Sequence, residues 1–303
     1  MPATVSVVIV NYRAYEDLAR ALASLRPHDA GLDVCVVDQA GDPVKLASLK
    51  ADCPHVTFVA SPENRGFAWA VNLAASQNWH EWLLILNPDC EASPAAVARL
   101  AGWLEAHPKV GAVGPRVRDR SGDIQASARR FPGITTAFAG RSSWLTRAFP
   151  GNPLSRLNLP VPADMTEATE VDWVSGACVM VRRRAFDAVG GMDPGFFLYW
   201  EDADLGRRLK NAGWTTYYCP DVEVTHTVGR SSRHVPVRSA VAFHLSALRY
   251  YWKHSSAISR LLVPFVAIGL GVRLVLLLSW NYSRQIARFV LDRLAGRAMQ
   301  DVR

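Results

Sequence analysis

The first 115 residues alternate between short apolar runs and longer stretches with helical spacing, and this restricts the fold more than any other feature. TVSVVIVNY, LDVCVVD, HVTFVAS and EWLLILN are continuous runs rich in Val, Ile and Leu, as strands buried on both faces are. Between them helices are expected over Tyr15–Leu25, Val44–Lys50 and Ala68–Asn78. After the fourth run comes SPAAVARLAGWLEAHP, with Ser93 as cap and Pro94 in the first turn, and VGAVGP reads as a fifth short strand. Strands joined by crossover helices form a parallel α/β sheet.

The remaining composition narrows the possibilities. The chain has 303 residues and a net charge of +7, enough for one large domain with an appendage and suited to an anionic partner. Five scattered cysteines without a CxxC pair give neither a disulfide framework nor a thiolate zinc site, and fit a reducing compartment. The opening MPATVSVVIVNY lacks a basic region ahead of its apolar run, so it is expected as a buried strand rather than a signal peptide. Neither GxGxxG nor GxxxxGK[ST] occurs, which argues against dinucleotide oxidoreductases and P-loop NTPases. No nucleic-acid recognition motif is present.

Open parallel sheets bind ligands at the carboxyl ends of their strands. Here four strands end in polar residues at that edge: Asn11, Asp38, the Ser61–Gly66 stretch, and Asn87-Pro88-Asp89. One such residue is an ordinary loop position; their convergence indicates a nucleotide pocket. Asp38 is placed to accept from a ribose hydroxyl or base N–H. Arg65 and Gly66 precede a helix, so a guanidinium and a helix amino terminus are expected to face a diphosphate. Asp89 is a hard oxygen ligand suited to Mg²⁺ or Mn²⁺.

Residues 149–170, rich in proline and polar residues, read as a surface loop or flap. A second strand-rich block follows, with EVDWVSGACVMV, a helix over Asp202–Ala212, and strands WTTYYC and VEVTH. Its centre is FFLYWEDADLGRRLKNAGW, where Glu201, Asp202 and Asp204 follow an aromatic run. Acidic residues at a helix start ordinarily offset the helix dipole. Arg129-Arg130 and Arg182-Arg183-Arg184 are expected at the solvated surface, with one of them able to meet a lipid diphosphate.

The segments VSVVIVNY, VVDQAG, ENRGFAWAVN, LLILNPDC, VDWVSGACVMVRR, FFLYWEDADLGRRLKNAGW and THTVGRSS occur in the order found in glycosyltransferase family 2. Over roughly residues 4–232 the chain resembles that family, and within it the bacterial rhamnosyltransferase-like branch that builds cell-wall and O-antigen glycans. The resemblance implies a GT-A fold, a Rossmann-like, mostly parallel sheet flanked by helices, across a catalytic domain of residues 1–232. It implies inverting transfer of a sugar from a nucleotide diphosphate, dTDP-L-rhamnose above others, to a polyprenyl-diphosphate-linked GlcNAc or growing glycan. UDP-galactofuranose or a UDP-hexose is the nearest alternative donor. A catalytically silent membrane-docking subunit and a nucleotidyltransferase are rival readings; intact Asp89 and Asp202 oppose the former, and the absence of a Gly-rich basic loop after the first strand weakens the latter.

By position, Asp38 matches the family's nucleotide-recognising aspartate and Asn87-Pro88-Asp89 its metal-binding DxD-type motif. Asp202 stands at the catalytic base, His226 at a histidine completing the metal site in several relatives, and Trp173, Gly176 and Ala177 in the segment shaping the sugar and acceptor pocket. Asn87 replaces the first acid of the strict motif, Gln39 and Gly41 replace the usual Asn and Ser, and Thr225-His226-Thr227 departs from the His-rich version. Inverting transfer needs one base, because metal and cations take the leaving group's charge. At about 100° per residue Glu201 and Asp204 share a helix face and Asp202 points elsewhere, so no carboxyl pair flanks a bond as a glycosidase requires. Asp202 is then the base, Glu201 positions it or the acceptor, Asp204 caps the helix or pairs with Arg208, and Trp200 with its aromatic neighbours provides a low-dielectric wall and stacking faces.

From Pro236 the chain is expected to be helical, a region of residues 233–303. LLVPFVAIGLGVRLVLLLSW, residues 261–280, is long enough to span a bilayer, but Arg273 lies within it, Pro264, Gly269 and Gly271 weaken it, and both flanks are basic. Ile286, Phe289, Val290 and Leu294 form a stripe opposite Arg284, Gln285, Arg288 and Asp292, as in interfacial helices. Peripheral or monotopic attachment at the cytoplasmic face is preferred to a true span or a soluble dimerisation module, with a homodimer as an open option.

Overall fold

The computed structural model describes residues 5–25, 31–131, 165–227 and 236–300, with side chains to 283. The chain divides at Val235/Pro236. The first unit is built on strands β1 (Val5–Asn11), β2 (Leu32–Gln39), β3 (Thr57–Ser61), β4 (Trp82–Leu86), β5 (Cys90–Glu91), β6 (Val110–Arg118), β7 (Ile124–Gln125), β8 (Ala128–Arg129), β9 (Thr169–Val171), β10 (Trp173–Val174), β11 (Cys178–Arg182) and β12 (Thr215–His226). Helices α1 (Tyr15–Leu25), α2 (Pro43–Asp52), α3 (Phe67–Ala75), α4 (Pro94–Ala106), α5 (Arg183–Ala188) and α6 (Glu201–Asn211) connect them.

The main sheet runs β3-β2-β1-β4-β11-β6-β12-β5. β1 pairs in parallel with β2 and β4, β2 with β3, and β6 with β12, while β11 lies antiparallel between β4 and β6. This is the mostly parallel, helix-flanked α/β sheet expected. Alternation along β1 explains the two cores: Val5, Val7 and Ile9 pack with α1, α2 and α4, whereas Val8 and Val10 pack with α3, α5 and α6. Fully burying each such side chain contributes about 1.5–3 kcal/mol.

Two sequence expectations need correction in this unit. WTTYYC and VEVTH form one strand, β12, whose register against β6 shifts between Cys219 and Glu223, around a proline that has no N–H to donate. Arg182 and Arg183 are buried structural groups, not surface charges. Arg182 donates to Val110 O, and to Leu104 O and His107 O at the end of α4. Arg183 donates to Ala75 O and Asn78 O at the end of α3. Each guanidinium thus satisfies carbonyls that a helix terminus leaves open. Of the expected flap, residues 149–164 lie outside the described residues.

The second unit contains α7 (Pro236–His254), α8 (Ala257–Arg260) and α9 (Val263–Gln300). Pro264 and the glycines do not interrupt α9, because proline at the second helical position loses no intrahelical bond. Val263–Ser283 is long and apolar enough to cross a membrane. Phe265, Ile268, Val272 and Leu276 are exposed along it at helical spacing, while Arg273 stacks over Phe243 of α7. The stripe Ile286–Leu294 falls where side chains lie outside the described residues.

Candidate active site

Asp89 occupies the turn between β4 and β5. Because β5 pairs antiparallel with the end of β12, Cys90 stands opposite His226 and the preceding Asp89 turns its carboxylate onto the imidazole. Asp89 Oδ1 and His226 Nε2 are 3.2 Å apart, with Asp89 buried. His226 is held from behind by Gln125 of β7: Gln125 Oε1 lies 2.8 Å from Nδ1, and its amide nitrogen donates to His226 O at 2.8 Å. With Nδ1 directed at the Gln125 carbonyl oxygen, Nε2 is the ring nitrogen that faces Asp89. Among the described residues no group of three or more His, Cys, Asp or Glu converges, so these two side chains form an open pair.

The turn that carries Asp89 also reaches the helical carboxylates. Asn87 N donates to Ala177 O, the neighbouring Gly176 N donates to Asp202 Oδ2 at 3.3 Å, and Asp202 Oδ1 accepts from Ala203 N at 2.8 Å. On α6 the three carboxylates separate as the 100° rotation requires. Asp204 is fully buried and accepts from Arg208 Nε at 2.7 Å. Glu201 is buried, and its Oε2 has no hydrogen-bond partner among the described residues. Burial first, and the Asp202 charge second, push the Glu201 carboxyl up to about 8. Asp202 remains partly exposed; burial raises its pKa too, against opposing hydrogen bonds and the nearby Arg129 charge.

Backbone strain collects at this edge. Arg13 and Ala40, just beyond β1 and β2, and Tyr199 and Trp200, just before α6, are non-glycine residues with positive φ. Such residues cost about 1–3 kcal/mol each and persist where the surroundings over-determine them. Gly66 (φ +95°) could not carry a side chain: a Cβ there would lie 2.6 Å from Phe197 O.

A model of Glycosyltransferase like family 2 matches residues 2–241. The chain belongs to that family. The glycosyltransferase is 32% identical over 252 residues to N-acetylglucosaminyl-diphospho-decaprenol L-rhamnosyltransferase of Mycobacterium tuberculosis, covering 79% of this chain and 81% of that one. It is 25% identical to rhamnosyltransferase WbbL of Escherichia coli, covering 81% and 92% respectively. These matches place it in the rhamnosyltransferase-like branch. Its fold matches the solved mannosyltransferase of Pyrobaculum calidifontis in complex with GDP-Man and Mn²⁺, with a TM-score of 0.56 at 16% identity over 94% of this chain and 81% of that one.

Within the glycosyltransferase, the structure brings Asp89 to His226 and Asn87, through Ala177 and Gly176, to Asp202. Trp173 packs against α6 at Gly206, one turn past Asp202, and its indole N–H donates to Arg130 O. Trp200 begins α6 in the left-handed region. Other expectations are revised. Asn11 is fully buried, donating to Asp38 Oδ1 at 2.6 Å and accepting from Ala14 N, so it orients Asp38 instead of facing a ligand. Asp38 Oδ2 accepts from Tyr15 Oη at 2.9 Å. Burial foremost holds the Tyr15 phenol up at about 12, so it stays a donor. The amides of Arg65, Gly66 and Phe67 already donate to Gln39, Asn64 and Phe197, so this helix start does not offer them to a diphosphate. The Arg65 guanidinium lies 4.3 Å over the Trp69 ring, beside a cavity of about 370 Å³ lined also by Ser61, Glu63 and Leu73. Another cavity, about 120 Å³ beside Asp172 and Trp214, is lined by neither Asp89 nor Asp202.

Sequence reasoning missed Gln125 and Tyr15 outright, and registered Gln39 only as a departure. Gln39 was the one with an available signal, a polar residue closing an otherwise apolar strand.

Proposed function

We propose that this glycosyltransferase moves L-rhamnose from dTDP-β-L-rhamnose onto a polyprenyl-diphosphate-linked GlcNAc, with inversion and with Mg²⁺ or Mn²⁺. The observation that carries the mechanism is the setting of Asp202: partly open, aligned by two backbone N–H groups, and linked through Gly176 and Ala177 to the turn bearing Asp89. The acceptor hydroxyl oxygen attacks the anomeric carbon, Asp202 takes its proton, and the bond to the diphosphate breaks with the electron pair leaving on the nucleotide. Raised proton affinity suits Asp202 to that task. Glu201, uncharged at neutral pH, positions the base without competing for the proton.

Asp89 and His226 Nε2 are the residues that would hold the cation; a carboxylate oxygen and an imidazole nitrogen are donors suited to a divalent ion. Bound there, a divalent cation would supply positive charge against the leaving diphosphate. The complex of the P. calidifontis enzyme with GDP-Man and Mn²⁺ supports this reading. Asp38 retains free lone pairs beyond those used by Asn11 and Tyr15, and with Arg65 it forms the nucleoside end of the donor site. The choice of donor and acceptor rests on the Mycobacterium tuberculosis relative. Residues 1–232 are the catalytic domain and 233–303 a membrane-interface region at the cytoplasmic face, where a lipid-linked acceptor presents its head group.

The test is nucleotide release from a panel of dTDP- and UDP-sugars with Mg²⁺ or Mn²⁺ and a short-chain polyprenyl-diphosphate-GlcNAc, with Asp202→Asn alongside. Acceptor-dependent release from dTDP-rhamnose, abolished in the variant, is the expected result. Release from another donor alone would discard rhamnose and keep the base. Full activity in Asp202→Asn would sink the mechanism.

A further inference from the structure

The segment joining β7 to the end of the described stretch at Phe131 carries cations whose setting the transfer chemistry above does not use. β8 pairs with β10 so that Arg129 stands opposite Trp173, and its guanidinium lies 5.4 Å over the Trp173 ring. Two residues on, Phe131 is anchored by its N–H to Asp172 and covered by Arg207 of α6, 4.6 Å from the ring. Lys210 also faces Phe131 but is paired with Asp172 at 2.8 Å. Arg129 and Arg207 have no carboxylate partner among the described residues, unlike Arg208 of α6, which is paired with Asp204. Two guanidinium groups with no carboxylate hydrogen-bonded to them among the described residues, each backed by an aromatic plane, are an arrangement suited to planar, bidentate recognition of phosphate oxygens.

Their position specifies which phosphate. Trp173 packs on Gly206, one helical turn after Asp202, and Gly176, three residues after Trp173, holds the Asp202 carboxylate. The Arg129 charge is close enough to be felt by Asp202, lowering its proton affinity. The donor's diphosphate is assigned to Asp89 and His226; what lies beside the base is the molecule whose hydroxyl it deprotonates. We propose that Arg129 and Arg207, seated on Trp173 and Phe131, form the binding site for the diphosphate of a lipid-linked acceptor. One sugar ring then separates the bound diphosphate from the hydroxyl at Asp202. This rests on Asp202 being the base, and of the basic clusters expected at the surface it selects the one at Arg129 and adds Arg207 of α6 to it.

The experiment is a tryptophan-fluorescence titration of the full chain with geranyl diphosphate, with geraniol, dTDP and phosphatidylglycerol vesicles as parallel arms. Arg129→Gln and Arg207→Gln are each expected to weaken geranyl diphosphate binding at least ten-fold and flatten its salt dependence, leaving dTDP binding unchanged; Arg129→Lys retains an intermediate affinity. Both side chains lie outside the apolar cores, and circular dichroism checks that the variants fold. Equal weakening for dTDP would make these residues donor contacts and overturn the proposal. So would unchanged geranyl diphosphate affinity, including when vesicle binding alone is lost, which would mark a headgroup patch. Asp202→Asn separates the two readings: it is expected to keep geranyl diphosphate affinity while losing transfer, and if it stays active the base assignment fails while the binding result stands.

Discussion

Glu201 and Asp202 are neighbours in sequence with opposite surroundings, one sealed under the α6 start and one open to the site. Glu201 has a folded pKa of about 8 against an ordinary 4.5, so the folded protein binds a proton that the unfolded chain releases across that window. Stability therefore falls as pH rises from about 4.5 toward 8. Glu201→Gln removes the titration and is expected to shrink the drop in Tm between pH 5 and pH 8 by about 3 °C or more in thermal scans. Its kcat should fall less than about ten-fold, against about 10³-fold for Asp202→Asn, since an amide preserves an uncharged group. Gln125 acts through His226: Gln125→Leu should weaken Mn²⁺ binding in the presence of dTDP roughly 10–100-fold, read by the electron paramagnetic resonance of bound Mn²⁺. Asp89 and Asp202 were legible in the sequence because their motifs are local. Gln125 was not, because it lies 101 positions from His226, and Tyr15 reaches Asp38 across 23.

Gly66 and the Phe197–Trp200 segment form one joint between α3 and α6. Phe67 N donates to Phe197 O at 2.8 Å, which requires Gly66 to approach without a side chain. Gly66→Ala sets a Cβ against immobile backbone in a left-handed conformation, and should destabilise the protein by about 2 kcal/mol. Denaturant unfolding measures this loss, and calorimetry with dTDP should show donor affinity falling as Arg65 shifts with the loop. At this scale the early sheet was readable, since each buried strand is a continuous apolar run between helical patterns. The antiparallel entry of β11 and the continuity of β12 were not readable. Strand direction depends on which neighbour a segment finds, and Pro220 looks like a terminus until a register shift absorbs it.

The two units of the chain present different surfaces. Phe265, Ile268, Val272 and Leu276 lie along one exposed stripe of α9. Replacing all four with Ser should abolish co-flotation with phosphatidylglycerol vesicles while leaving nucleotide release with a short, water-soluble acceptor intact; retained flotation would locate attachment elsewhere. In the first unit the contrast is between opposite edges of one sheet. Where the strands of β1 and β4 begin, Arg182 and Arg183 tie helix ends to strand ends through buried hydrogen bonds. Where they finish lie the strained turns and the partly open carboxylate of Asp202. That division lets substrate preference drift during evolution: the far edge secures the fold, so loops at the near edge can be rebuilt for a different sugar at little risk to folding.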